Sequence, residues 1–265
     1  MNLGLEGRAC VVNGASRGIG YEATRMLCAE GASVLLVARG EEALRDATAE
    51  AAEEGGRAEW LAVDATAPEA ADQIVAACEE RFGSLDVLVN NSGTSSVTPL
   101  DDLTDEDWEA QWRLSVLGPM RLMRAAAPRM AERGFGRIVN VASSAGKRPS
   151  STNMAYAVGK AAQLSLSRAF ADLYASKGVL VNAVTPGPVA TELWMGPGGM
   201  LDQLAKLRGA SREETLAKQG GNVPIGRYAQ ADEIASVVVF LCSERASYVA
   251  GSAWSTDGGA VQVII

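Results

Sequence analysis

The stretch ACVVNGASRGIGYEATRMLCAE, residues 9–30, decides the fold. A short apolar run passes through Gly14, Gly18 and Gly20 straight into a segment with the period of a helix, so strand, turn and helix follow without a linker. Glycine lets a backbone turn sharply and approach a ligand, and the free N–H groups and dipole of a helix start attract a diphosphate. In that setting the spacing G-x-x-x-G-x-G, which encloses Ser16, Arg17 and Ile19, marks a nucleotide-binding loop at the first turn of a βαβ unit. It differs from the G-x-G-x-x-G spacing and points to a particular branch of nucleotide-binding folds.

Outward from this loop the alternation continues. SVLLVA (33–38), AEWLAVD (58–64), LDVLVN (85–90), RIVNVAS (137–143) and VLVNAV (179–184) are strand-like, and a last short strand is expected around 252–255. Helical patterns separate them, among them long ones over about 105–133 and about 153–176. Near-continuous apolar strands joined by helices indicate a parallel sheet covered on both faces, because parallel strands need crossover connections. The expected class is α/β, a doubly wound, Rossmann-like parallel sheet of about seven strands with helices on both faces. No repeat or Pro/Ser-rich linker divides residues 1–265, which read as one domain. Only the glycine-punctuated stretch over about 191–223 breaks the rhythm; it is a candidate substrate lid, its alternative an ordinary surface excursion.

Composition narrows the function. Of 265 residues 48% are hydrophobic, enough for a large core, and a formal charge of −8 argues against nucleic acid or anionic membrane as partners. No window approaches the ~18 consecutive apolar residues of a membrane span, and no signal-like segment opens the chain, so a soluble, cytoplasmic protein is expected. Cys10, Cys28, Cys78 and Cys242 stand singly among apolar neighbours, as buried free thiols do. The chain contains no histidine, so neither a Ser-His-Asp triad nor a histidine-based zinc site can be assembled, and no metal is expected.

The second strand ends at Ala38, where an acidic residue would bind the ribose 2′-hydroxyl of NAD. Ala38 offers no carboxylate, whereas Arg39 and Arg17 supply the charge that accepts the 2′-phosphate of NADP. NADP is therefore favoured over NAD, the bland reading being a surface pair of Arg39 with Glu41 or Glu42. In YAVGK (156–160), Tyr156 and Lys160 are four apart and share one face of a helix. A nearby ammonium stabilises a phenolate and lowers the phenol's pKa from its usual value of about 10, which makes the tyrosine usable for proton transfer where no histidine exists.

Five motifs in order now carry a resemblance: the glycine loop, NNSG (90–93), VASSAG (141–146), the Tyr156 and Lys160 pair, and TPGPVAT (185–191). From about Gly7 to Gly259 the chain resembles the short-chain dehydrogenase/reductase family. Ser143 lies 156 − 143 = 13 residues before Tyr156, the family's spacing, and matches better than Ser144. The resemblance implies hydride transfer between NADP(H) and a small-molecule ketone or secondary alcohol, most like a 3-oxoacyl reductase, in a homo-oligomer that is commonly a tetramer. It implies that Tyr156 exchanges the proton with the substrate oxygen, Ser143 hydrogen-bonds that oxygen, and Lys160 binds the nicotinamide ribose while lowering the tyrosine pKa. Cofactor contacts then fall on Gly14, Ser16, Arg17, Gly18, Ile19 and Gly20 in the loop. Arg39, Asp64 and Ala65 serve the adenosine end, Asn91 and Gly93 the middle beside Asn90, and Pro186, Gly187, Val189 and Thr191 the nicotinamide, besides Tyr156 and Lys160.

Three positions depart from the family pattern. Asn13 replaces a usual threonine, Gly159 a usual serine, and Ser115 the asparagine whose main chain is associated with a water-linked proton path from the lysine. A working but slower relay through Ser115 is the expectation. The departure leaves open a second class of protein, an NADP(H)-binding sensor or partner-binding protein of the same fold, against which the retention of Ser143, Tyr156 and Lys160 together argues. Leu193, Trp194, Met195, Met200, Leu201 and Leu204 give the candidate lid an apolar stripe that suits a hydrophobic or ring-bearing carbonyl substrate or packing on the protein itself.

Overall fold

The computed structural model describes residues 2–262. β1 (Ala9–Asn13), α1 (Gly18–Ala29), β2 (Ser33–Ala38), α2 (Glu41–Ala52), β3 (Arg57–Ala62) and α3 (Ala70–Phe82) form the first half. β4 (Val87–Asn90), α4 (Asp105–Trp112), α5 (Gly118–Glu132), β5 (Gly136–Val141), α6 (Met154–Tyr174) and β6 (Val179–Pro186) repeat the alternation. Three short helices follow, α7 (Glu192–Met195), α8 (Met200–Arg208) and α9 (Arg212–Gly221), and then α10 (Ala231–Cys242) and β7 (Ala253–Thr256).

The strands lie parallel in the order β3-β2-β1-β4-β5-β6-β7, with Val11 of β1 opposite Leu35 on one side and Leu88 on the other. After β3 the chain crosses back to lay β4 against β1. That reversal opens a crevice at the carboxyl ends of β1 and β4, the place where open α/β sheets bind ligands.

Successive strand residues point to opposite faces, so β1 divides its side chains between two cores. Cys10 and Val12 pack with Val34, Leu36 and the inner faces of α1, α2 and α10. Ala9 and Val11 pack with Leu35, Val37 and residues of α3, α5 and α6. This two-sided burial is why β1, β4 and β5 read as largely apolar runs, each buried Val or Leu contributing about 1.5–3 kcal/mol. The four cysteines are buried in these cores as free thiols. Among the described residues no helix is long and apolar enough to cross a membrane.

Three expectations change. α1 begins at Gly18, inside the glycine loop. The helical region over 105–133 is interrupted between α4 and α5 by a π turn, Arg113–Leu117, closed by the Gly118 N–H donating to the Arg113 carbonyl. Pro119 is the physical reason: without an N–H it cannot serve the carbonyl of Ser115 four residues earlier, and the ladder shifts register. The segment 191–223 is not loose. It folds into α7, α8 and α9, and at the start of α9 Ser211 and Glu214 cap each other.

Candidate active site

β1 stops at Asn13 and the chain turns through Gly14 (φ +76°) and Gly18 (φ +60°), conformations that side chains rarely adopt. Asn91 Nδ2 donates to the Gly14 carbonyl at 2.8 Å and Ser92 Oγ to Asn13 Oδ1 at 2.7 Å, which ties the loop to the end of β4. The asparagine at 13 thus makes a structural hydrogen bond. Gly20 has another role from the one expected. It does not line the cleft; a Cβ there would lie 2.3 Å from the Gly14 carbonyl oxygen, so its bare backbone lets α1 pack under the loop.

Ser16, Arg17, Gly18 and Ile19 do line the cleft, and α1 starts with no side-chain cap and no acidic residue in its first turn. Uncapped N–H groups, a positive dipole end and a cradle without side chains fit the diphosphate of a dinucleotide. The cleft encloses about 1270 Å³. That exceeds the roughly 300–1,000 Å³ of an ordinary ligand pocket and leaves room for cofactor and substrate together.

Arg39 sits exposed at one end and, among the described residues, makes no ion pair; Glu41 instead pairs with Arg45 at 2.8 Å. Asp64 and Ala65 line the same end. Hydrogen bonds from the Thr66 N–H (2.9 Å) and hydroxyl (2.8 Å), with Arg39 adding its charge, hold the Asp64 carboxyl below its usual range. Arg17 pairs with Glu192 at the start of α7 and so bridges the glycine loop to that helix. Asn91 and Gly93 form the middle of the wall, and Pro186, Gly187, Val189 and Thr191 the side below β6. Thr191 stands at the start of α7 without capping it through its side chain.

At the far end the residues after β5 deliver Ser143, whose Oγ accepts the Ala145 N–H at 3.1 Å and shares the cleft wall with Tyr156. One turn on along α6, the ammonium of Lys160 lies 5.8 Å from the centre of the Tyr156 ring. Lys160 is 2% exposed, and its Nζ donates to the Val141 carbonyl at 2.8 Å and to Gln163 Oε1 at 3.0 Å. Burial pushes Lys160 down to about 7 and pushes Tyr156 up, the Ser143 hydrogen bond opposing the latter. The expected lowering of the tyrosine is not the net outcome here, because burial outweighs it. Desolvation dominates both groups, and the ammonium is engaged by Val141 and Gln163.

Ser115 is not at the cleft wall either. It is buried, its hydroxyl has no partner, and it packs on α6 where a Cβ at position 159 would come within 3.1 Å of its own. Gly159, unfavourable in mid-helix by itself, lets α6 close on the π turn. From that turn and its edge Arg113, Leu114 and Gly118 face the cleft. Sequence reasoning missed Gln163, whose signal was a polar side chain three residues after Lys160 on the buried side of α6, and the Gly118-Pro119 pair that makes the π turn.

A cleft that cradles a diphosphate at one end and gathers a phenol, a hydroxyl and an amine at the other defines a dinucleotide-dependent oxidoreductase. A family model described as enoyl-(acyl carrier protein) reductase matches residues 14–261. Galactitol 2-dehydrogenase of Agrobacterium fabrum is 34% identical over 96% of this chain and 98% of its own length. The 3-oxoacyl-[acyl-carrier-protein] reductase of Thermotoga maritima is 32% identical over 97% of this chain and 99% of its own. The crystal structure of L-sorbose reductase from Gluconobacter frateurii, complexed with NADPH and L-sorbose, superposes with a TM-score of 0.92 at 35% identity over 100% of both chains. The chain belongs to the short-chain dehydrogenase/reductase family and is an oxidoreductase.

Proposed function

We propose that the chain is an NADPH-dependent ketone reductase of the 3-oxoacyl-reductase type that also runs the reverse oxidation of a secondary alcohol. The observation that carries this reading is the convergence of Ser143, Tyr156 and Lys160 in the one cleft whose other end is the glycine cradle. Residues 14–19 would hold the diphosphate, Arg39 the 2′-phosphate, Asp64 and Ala65 the adenosine, and Thr191 with Gly187 the nicotinamide. Bound NADPH supplies the hydride that the carbonyl carbon receives. Tyr156 gives its phenolic proton to the carbonyl oxygen, so the C=O π bond is exchanged for one C–H and one O–H bond. Ser143 places that oxygen by donating to it, and the Lys160 charge stabilises the phenolate left behind. Solvent returns the proton to the phenolate by way of Lys160, through water that the main-chain carbonyl at Ser115 would hold.

The apolar wall formed by Leu193, Trp194, Met200 and Leu204 supports a substrate with an acyl chain. Trp194 is held edge-on to Tyr228 with ring centres 5.4 Å apart. We place the protein in the cytoplasm as a homotetramer, supported by Trp112, Val158 and Leu173 on α4 and α6, which expose 44%, 42% and 57% of their surface. Light scattering then returns about four chain masses; a single-chain mass refutes the assembly.

Titration with both reduced nicotinamides tests the cofactor. NADPH binds more tightly than NADH, and Arg39→Ala weakens NADPH by about 10-fold or more, the loss of a charge-assisted contact, while NADH affinity is unchanged. Equal affinities in the native protein remove the role given to Arg39. A panel of 3-oxoacyl thioesters and ketoses, followed by NADPH absorbance, then assigns the substrate. Binding without turnover on any of them favours a sensor.

A further inference from the structure

Gln163 has no part in the roles assigned so far, yet it is the side chain that touches Lys160. Its Oε1 accepts from the ammonium at 3.0 Å, at 1% exposure. Its Nε2 is buried with no partner among the described residues. An amide placed only to satisfy itself would bond at both ends, so the orientation of this one is set by the lysine. The backbone beneath it is anchored. The Gln163 carbonyl accepts from Ser167 Oγ at 2.7 Å, Ser167 Oγ accepts from Asn140 Nδ2 at 2.8 Å, and Asn140 Oδ1 accepts from Asn90 Nδ2 at 2.8 Å. This buried chain links α6 to β5 and β4, the strands whose ends form the cleft.

Resting on the reductase reading above, we propose that Gln163 is a positioning residue for Lys160, fixing its ammonium between the Val141 carbonyl and its own Oε1 beside Gly93. A lysine ammonium has three donors, and two are held this way, which leaves one for the cleft. A Cβ at Gly93 would lie 3.6 Å from Nζ, so the third donor emerges where the wall has no side chain.

The surroundings single out Gln163 as the group that tunes this lysine. Tyr156 faces Lys160 from its own helix, while Gly93 after β4, Val141 and Ser143 at the end of β5, and Ser115 in the π turn bring no charge. No charged side chain from any packed element shifts it, and burial alone pushes it down to about 7. In such a site a neutral acceptor on the ammonium decides how much of the charged form survives.

The test is the titration of Lys160 itself, read from its 13Cε resonance in the full-length, cofactor-free protein and assigned by its loss in Lys160→Met. Gln163→Leu removes the acceptor and lowers the midpoint by about one pH unit; Gln163→Glu supplies a carboxylate and raises it. The melting temperature of Gln163→Leu does not fall, because an unpaired buried N–H pair leaves with the acceptor. Gln163→Met serves in its place if the leucine variant does not fold. Midpoints that stay put in both directions overturn the proposal, as does a lower melting temperature with an unmoved midpoint. Because the resonance needs no turnover, failure of the reductase reading would show separately, as a native protein that fails to oxidise NADPH whichever ketone is supplied while its Lys160 midpoint still follows residue 163.

Discussion

Tyr156→Phe reduces ketone-dependent NADPH oxidation by about 10³-fold, within the 10²–10⁴ that a positioned proton donor contributes. The change removes one oxygen and keeps the ring, so the helix face packed around it is retained. Ser143 keeps the Ala145 N–H on its Oγ. NADPH affinity and melting temperature therefore stay near native values while kcat collapses, the pattern of an interaction made in the transition state. Burial pushes the phenol upward in this structure, so the proton is present at neutral pH and its transfer, not its availability, is what the variant loses. A phenylalanine variant retaining a tenth of native kcat would show that another group supplies the proton.

Gly20→Ala carries a large structural effect. The added Cβ would sit 2.3 Å from the Gly14 carbonyl oxygen and 2.5 Å from Asn91 Nδ2, the two ends of the hydrogen bond that shapes the loop. Neither is the free tip of a flexible side chain, so the loop itself must move. Overpacking of this kind costs about 3 kcal/mol or more, which in a chain of this size lowers the melting temperature by roughly 6–12 °C. With the cradle displaced, NADPH affinity falls by about 100-fold. Gly40→Ala is the control: Gly40 lines the cleft itself but has open space where a Cβ would go. It leaves both quantities near native. Equal behaviour of the two variants in calorimetry and cofactor titration would remove the steric account of Gly20.

The sheet was legible because its evidence is local. Near-continuous apolar runs such as SVLLVA and VLVNAV have no other use for so many apolar residues than burial on both faces. The convergence of Ser143, Tyr156 and Lys160 was legible through spacing, since a helical turn and a fixed separation survive folding unchanged. What escaped depends on partners remote in sequence. Ser115 and Gly159 each looked like an isolated departure, and only their contact shows one compensating the other. Lys160 was read as facing Tyr156, but the carbonyl of Val141, 19 residues away, also claims it. Gly20 was grouped with the loop's other glycines because spacing does not separate a glycine that meets a ligand from one that meets the next turn of chain.

The parallel sheet gives the molecule a working rim and an idle one. Every strand ends on the side of the cleft, and the turn after β7 carries Ala260 into its wall. The residues leading into β1 lie at the other rim. A surface, bead or fluorescent reporter joined through that idle rim leaves the cleft open, whereas one joined just past β7 stands at its mouth. Orientation on a support is thereby decided by the polarity of seven strands before any linker is chosen.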